Sequence, residues 1–462
     1  MEKEPGFLMP LMVSVSGVRG IIGEDLTPPV IIKFVESFIH TLGNPAGKIL
    51  IGRDTRKSGN FIENIVEGSI IALGHDVINI GIAATPTVLL LTRKLNCSGG
   101  IAITASHNPL QWNALKFCDE KGLFLVEKDV EKIRNRVFRT ESPDDCWSGF
   151  KTLGTPYQEK EASLVHIEDV LKHIDHDHIS EKKFKIAIDP AGGAGCVISR
   201  PFLEKLGCTV IGINEKSMPV FPRGPEPVPE NLSKLCDLVI SSKADIGFAQ
   251  DPDGDRLAVV SESGVAIGEE YTLVLAGDAY LRKHRTNIAC NLSTSMMIDD
   301  LAKRYSVDVF RTKIGEMNVT ARLLENKISF GGEGNGGVIV PEINPCRDSI
   351  TAMGLILELL AATKATVSGL VEGFPSYTMK KVKVPAGIIT KDEFYKNLFE
   401  SVENHFPGYT VDTLDGIKIS NGSEWLQIRF SNTEPVVRIM SESSSADRAE
   451  ELIKIGKTLV DN

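Results

Sequence analysis

The stretch GGIAITASHNPLQWNALKF (residues 99–117) ends an apolar run with Thr104, Ala105, Ser106, His107, Asn108 and Pro109. A serine displayed at a strand end can carry a transferable group. Lys116, on the same segment, could supply a nearby cation or, if desolvated, a proton carrier. The commoner use of an isolated serine in such a place is to cap a helix, so the rest of the chain must choose. A second loop, IGFAQDPDGDRLAVV (246–260), alternates Asp251, Asp253 and Asp255 within a Pro/Gly turn between two apolar runs. Three carboxylates this close repel one another unless a cation sits between them. Alternate residues point to one side, which suits a hard ion such as Mg²⁺. A calcium-binding EF-hand would put Glu262 at its twelfth position, but its sixth, which must be glycine, is Arg256.

Two further loops are chemically suggestive. In SFGGEGNGGVIV (329–340) the glycines let backbone approach a ligand, while Glu333 and Asn335 offer acceptors and donors suited to hydroxyls. In IRFSNTEPVVRIM (428–440), Arg429, Ser431, Asn432, Thr433 and Arg438 gather two guanidiniums and several hydroxyl and amide groups, the usual means of holding a phosphate dianion. PAGGAG (190–195) lacks the Lys-Ser/Thr of a nucleotide P-loop, and HIDHDHIS (173–180) reads as a solvated polar connector.

These loops need elements to hold them. KILIGRD, NFIENIVEGSIIALG and HDVINIGI read as strand, helix, strand; the plan recurs at FKIAIDPAGGAG to CTVIGINE and again at NIACNLSTS to SVDVFRTKIGE. That recurrence predicts α/β units with mostly parallel sheets. A polar stretch at 139–156 suggests a linker, and after 371–385 the pattern changes to helices with hairpin-like strands, an α+β unit. The length of 462 residues requires several domains. A net charge of −10 argues against nucleic acid as the main partner. No apolar run approaches the roughly 20 residues of a membrane span, and the N-terminus lacks signal-peptide character. Eight scattered cysteines without a C-x-x-C pair fit a reducing compartment, so the expected location is cytoplasmic.

In this order and at this spacing the loops resemble the α-D-phosphohexomutase family, which interconverts hexose 1- and 6-phosphates. The resemblance runs through SVSGVRGIIG, TASHNP with Lys116, FPRGPEPVPENL, DPDGDR, RTKIGE, GEGNGG and RFSNTEP with Arg438, nearly the whole chain. It implies four domains around a central cleft, three related α/β domains with mixed, mostly parallel sheets and a C-terminal α+β domain. Their expected bounds here are 1–152, 153–256, 257–371 and 372–462, each contributing one loop. Ser106 would be the phosphoserine, with Ser106, Asp251, Asp253 and Asp255 holding Mg²⁺. Arg19, His107, Lys116 and Arg256 would surround the moving phosphoryl group. Lys313, Glu333, Asn335, Arg429, Ser431, Asn432, Thr433 and Arg438 would bind substrate. A hexose 1,6-bisphosphate would serve as intermediate and activator, the substrate would be a hexose phosphate, and the protein a monomer or homodimer. The GEGNGG form, with Gly337 where many bacterial members carry histidine, resembles archaeal-type enzymes and favours glucosamine phosphate, with broad phosphomannomutase/phosphoglucomutase specificity as the alternative. A phosphatase or a non-catalytic sugar-phosphate-binding paralogue are more distant readings. Asn113-Ala114 replaces the usual Asn-Gly, and Phe430 and Asn432 replace the commoner Pro and Gly.

Overall fold

The structure is a computed structural model that describes residues 11–42, 47–138, 147–385, 391–431 and 436–461. Short apolar runs such as ILIG and GGIAI become strands buried on both faces, as parallel strands covered by helices are. The first sheet holds β1 (Met12–Ser14), β2 (Gly17–Ile21), β3 (Ile49–Arg53), β4 (Val77–Ile82), β5 (Gly99–Ile103), β6 (Trp112–Asp119) and β7 (Pro156–Gln158), in the order β1-β2-β6-β5-β3-β4-β7. β3 runs parallel to β4 and β5, and β4 to β7, while β6 turns back antiparallel beside β5. The Pro28–Thr41 helix, opened by proline in its first turn, buries Ile31, Phe34, Val35 and Phe38 against Ile49, Ile101 and Phe117 of this sheet.

The second sheet holds β8 (Lys185–Asp189), β9 (Thr209–Gly212), β10 (Ile246–Gln250) and β11 (Leu257–Ser261), in the order β11-β10-β8-β9. Only the β10–β11 pair is antiparallel, and the acidic loop is its hairpin turn. In the third sheet β12 (Ile288–Asn291) is flanked in parallel by β13 (Val309–Thr312) and β14 (Phe330–Glu333). β15 (Gly337–Ile339) then leads to the Ser349–Thr363 helix, whose residues 349–361 are buried on all sides. Asp348 caps that helix by accepting the Ile350 and Thr351 amides. The last sheet is wholly antiparallel: β16 (Thr378–Pro385), β17 (Thr410–Asp412), β18 (Ile417–Ser420), β19 (Glu424–Phe430) and β20 (Val436–Ser443), in the order β16-β20-β19-β18-β17.

Residues 1–269 with 337–367 make one compact unit, and 270–336 with 368–462 a second. The 173–180 stretch departs from expectation: His176–Lys182 is a short helix, because Asp175 caps it and Ile179 packs inward. The seven described cysteines are all free, and no helix among the described residues is long and apolar enough to cross a membrane.

Within the second unit, the antiparallel sheet is fastened to the loop after β12. Lys418 Nζ donates to the Leu292 carbonyl at 2.6 Å and lies 4.2 Å from the Trp425 ring centre. Gln427 Oε1 accepts the Ser293 hydroxyl at 2.6 Å. Glu442 accepts the Trp425 indole N–H at 2.6 Å, the Met296 amide at 2.8 Å and the Ser295 hydroxyl. Burial, then the charge of Arg311, pushes the Lys418 ammonium down to about 7. An unfolded lysine titrates near ~10.4, so between these values the unfolded chain binds the extra proton and stability rises with pH. We therefore expect the melting temperature of the native protein, relative to Lys418→Met, to climb from pH 7 to pH 10 and to stay flat below pH 7. Parallel calorimetric profiles would remove this account.

Candidate active site

Ser106 sits three residues past β5 with φ of +49°, a left-handed conformation that non-glycine residues adopt only when held there. Its amide donates to Thr104 Oγ1 at 2.9 Å, and its carbonyl accepts Arg56 Nη2 at 2.5 Å. The same guanidinium donates to the carbonyls of Asn108 at 2.7 Å, Pro109 at 2.8 Å and Trp112 at 3.2 Å. Arg56 is itself fixed by Asp54, which accepts its Nε at 3.1 Å and the Thr104 hydroxyl at 2.6 Å. Burial pushes the Asp54 carboxyl up, against the pull of Arg56 and Thr104. One buried arginine thus gathers the carbonyls of the whole serine loop.

The acidic loop faces that serine. Ser106 Oγ donates to Asp251 Oδ2 at 2.9 Å, while Asp251 Oδ1 accepts the amides of Asp255 at 3.2 Å and Arg256 at 3.1 Å. Asp253 Oδ2 accepts Lys116 Nζ at 2.7 Å and the Thr85 hydroxyl at 2.8 Å. Asp255 Oδ2 accepts Arg347 Nη2 at 2.6 Å. The three aspartates are fully buried, and ligand oxygens, one from each, lie within 4.8 Å of one another. Asp253 Oδ1 and Asp255 Oδ1 are buried with no hydrogen-bond partner. An all-oxygen set with two unsatisfied carboxylate atoms, in a site where like charges crowd, fits a hard divalent cation. Burial, with Asp255 and Asp253 beside it, holds the Asp251 carboxyl well above its usual range. Burial opposes ionisation of Asp253 as well, but Lys116 overrides it and Asp253 stays below the carboxylate range.

The other expected residues of this region gather at the same place. Arg256 donates to Glu226 Oε1 at 3.2 Å and keeps a buried Nε without a hydrogen-bond partner. Arg19 Nη1 donates to Asn108 Oδ1 at 2.5 Å. The Arg256 charge, burial and Arg19 push the His107 imidazole well below its ordinary range, so it is neutral; its Nδ1 lies 3.4 Å from Ser106 Oγ. Ala114, in place of the family glycine, sits in β6 opposite Arg19 with no positive φ, so its methyl group costs nothing. PAGGAG supports the acidic loop: a Cβ on Gly193 would lie 2.4 Å from the Pro252 carbonyl, which accepts the Ala194 amide at 2.7 Å.

The remaining residues lie in the second unit. Glu333 Oε1 accepts Asn291 Nδ2 at 2.8 Å and the Gly315 amide at 3.1 Å. A Cβ on Gly334 beside it would meet Glu270 Oε2 at 1.9 Å, so that carboxylate would have to move. Asn335 Oδ1 is buried without a hydrogen-bond partner. Lys313 is exposed at a pocket of about 330 Å³ that it shares with Asn318, Tyr395 and Asp415, and Asp415 Oδ2 accepts the Ile314 amide at 2.8 Å. Arg429 and Arg438 are direct cross-strand partners on β19 and β20. Like charges so paired are unfavourable unless an anion joins them. Burial, opposed by Asp415 and assisted by Arg438, lowers the Arg429 pKa, and its Nε has no hydrogen-bond partner. Ser431 follows β19, with its amide bonded to the Val436 carbonyl at 2.8 Å; Asn432 and Thr433 lie outside the described residues. Phe430, unlike the proline common there, has an amide, and it donates to the Tyr395 hydroxyl at 2.9 Å.

The four domain profiles of phosphoglucomutase/phosphomannomutase, alpha/beta/alpha domains I to III and the C-terminal domain, match residues 11–144, 165–264, 268–377 and 379–454. A phosphoglucomutase/phosphomannomutase of Thermococcus kodakarensis is 35% identical over 96% of this chain and 97% of its own length. The chain belongs to the phosphoglucomutase/phosphomannomutase family. It is therefore a phosphohexomutase, an isomerase that transfers phosphate within a hexose phosphate. A phosphoglucosamine/phosphogalactosamine mutase of Sulfurisphaera tokodaii is 31% identical over 96% of this chain and 98% of its own. Among solved structures, a putative phosphomannomutase from Thermus thermophilus superposes with a TM-score of 0.83 at 25% identity, covering 99% of this chain and 100% of that one.

Arg56, Asp54, Thr85 and Arg347 escape a reading of this phosphohexomutase from sequence, since each reaches the site from a segment with no chemical signature of its own. Arg223 of FPRGPEPVPENL also turns out to brace the frame, binding Asp189 Oδ2 at 2.8 Å and the Gln250 carbonyl at 2.6 Å. Arg56→Met would strand the buried Asp54 charge and the serine-loop carbonyls, with an expected loss of about 3–5 kcal/mol in denaturant unfolding. A loss below about 1 kcal/mol would show that the loop holds itself, since that is the worth of an ordinary hydrogen bond.

Proposed function

We propose that this phosphohexomutase works through a phosphoserine at Ser106 and a hexose 1,6-bisphosphate. The observation that carries the reading is the Ser106 hydroxyl, held in a strained backbone 2.9 Å from a buried carboxylate of a triad whose other two carboxylates each keep one oxygen without a hydrogen-bond partner. Phosphorylated Ser106 gives its phosphoryl group to the free hydroxyl of a hexose monophosphate: the serine O–P bond breaks and the sugar O–P bond forms. The bisphosphate turns over and returns its other phosphate to Ser106. Lys116 is the candidate carrier of the hydroxyl proton, and Arg19, Arg256 and neutral His107 offer donors to the moving group. A Mg²⁺ ion held by Asp251, Asp253, Asp255 and a phosphoserine oxygen would neutralise phosphoryl charge.

In the second unit, Arg429 and Arg438 with Ser431, Asn432 and Thr433 would hold the phosphate that is not reacting. Glu333, Asn335 and Lys313 would hold sugar hydroxyls. Glucosamine phosphate is the leading substrate, supported by the GEGNGG loop and by the name of the Sulfurisphaera tokodaii relative. Broad hexose specificity is the second reading, supported by the name of the Thermococcus kodakarensis relative.

The test is a ³¹P NMR comparison of glucosamine, glucose and mannose monophosphates with Mg²⁺ and a trace of hexose bisphosphate. Glucosamine phosphate is expected to isomerise fastest, and Ser106→Ala to lose about a thousandfold or more in rate, as loss of a nucleophile does. Faster turnover of mannose or glucose phosphate would favour the second reading. Full activity in Ser106→Ala would exclude the phosphoserine.

A further inference from the structure

His166 takes no part in the transfer machinery, yet it is fully buried and both its ring nitrogens are engaged. It lies on the Ala162–Leu171 helix of the first unit. Nε2–H donates to Asp348 Oδ2 at 2.8 Å, and Nδ1 shares a hydrogen bond with the Thr87 hydroxyl at 2.9 Å. Burial alone would raise the Asp348 carboxyl, but His166 and the Thr351 hydroxyl hold it below the usual range.

Both partners stand at the start of a helix that grips the acidic loop. Asp348 caps the Ser349–Thr363 helix; Arg347 before it binds Asp255 Oδ2 at 2.6 Å, and the Ser349 hydroxyl after it binds the Gly254 carbonyl at 2.6 Å. Thr87 lies in the first turn of the Thr85–Lys94 helix, whose Thr85 gives Asp253 Oδ2 a hydroxyl bond at 2.8 Å and the Asp253 carbonyl an amide bond at 2.8 Å. Side chains at the starts of two helices thus hold neighbouring carboxylates. An apolar side chain could fill the space between them, but only a group with two fixed, opposed polar atoms also sets their spacing.

We propose that His166 is a positioning residue for the cation site. By tying Thr87 to Asp348 it sets the separation of the two helix starts. Thr85 and Arg347 then occupy one oxygen each of Asp253 and Asp255, leaving the Oδ1 atoms for a divalent cation. The proposal rests on the metal reading given above.

The experiment titrates Mn²⁺ into the metal-free full chain, with free ion followed by electron paramagnetic resonance. It compares the native protein, Asp251→Asn, Thr87→Val and His166→Gln. Thr87→Val is nearly isosteric and removes only the Nδ1 bond, while His166→Gln retains an amide donor toward Asp348. Loss of such outer partners typically weakens metal binding tenfold to a hundredfold, so an increase in the Mn²⁺ dissociation constant of about tenfold or more is expected in both variants. The KM for hexose phosphate at saturating cation should change less than about twofold, on the same expectation that the defect is in the metal site. Unchanged Mn²⁺ affinity in a folded variant, even with a lowered melting temperature, would overturn the proposal and make His166 a packing residue. A native protein that binds Mn²⁺ no better than Asp251→Asn would overturn the metal reading, and this proposal with it.

Discussion

Three buried carboxylates within reach of one another cannot all be ionised without positive charge nearby, and much of the first unit answers that demand. Lys116 and Arg347 each neutralise one oxygen, the Thr85 hydroxyl donates to Asp253, and backbone amides of Asp255 and Arg256 support Asp251. The Oδ1 atoms of Asp253 and Asp255 still have no hydrogen-bond partner, although Arg256 Nε lies 4.0 Å from that of Asp255. Such oxygens fit a hard cation, and the Ser106 hydroxyl lies beside them, 2.9 Å from Asp251 Oδ2.

The second unit solves the opposite problem. Arg429 and Arg438 are placed side by side on neighbouring strands, where like charges repel, and Asp415 offsets part of that repulsion at Arg429. The ties of Lys418, Gln427 and Glu442 to the loop after β12, and of Asp415 to the loop after β13, fasten the sheet that carries this pair to the loops of the third sheet. Each unit thus gathers like charges in one place, carboxylates in the first and guanidiniums in the second.

Residues whose chemistry is local were legible from the sequence. Asp251, Asp253 and Asp255 announce themselves by alternation in one turn, and Ser106 by a polar cluster that interrupts an apolar run. Arg56 stands in DTRKSG, which reads as a surface turn, and Arg347 in PCRDSI, which reads as the approach to a helix; only the fold turns both inward. His166 looks like one more residue of the amphipathic run ASLVHIEDVL. Strand and helix order was readable because apolar runs of strand length recur between helical spacings. Strand neighbours were not: the antiparallel return of β6 beside β5 leaves the same alternation as a parallel one. Pro156, the last residue of the expected linker, opens β7 with Tyr157 and Gln158, a strand missed because three exposed residues carry no periodic signal.

Phe430 illustrates how one replacement recruits another. A proline there has no amide to satisfy; phenylalanine brings one, and the Tyr395 hydroxyl takes it while the two rings meet edge to face at 5.8 Å. The two side chains are therefore one unit of the phosphohexomutase's last domain: proline at 430 would leave the Tyr395 hydroxyl without this donor, and phenylalanine at 395 would leave the Phe430 amide without this acceptor.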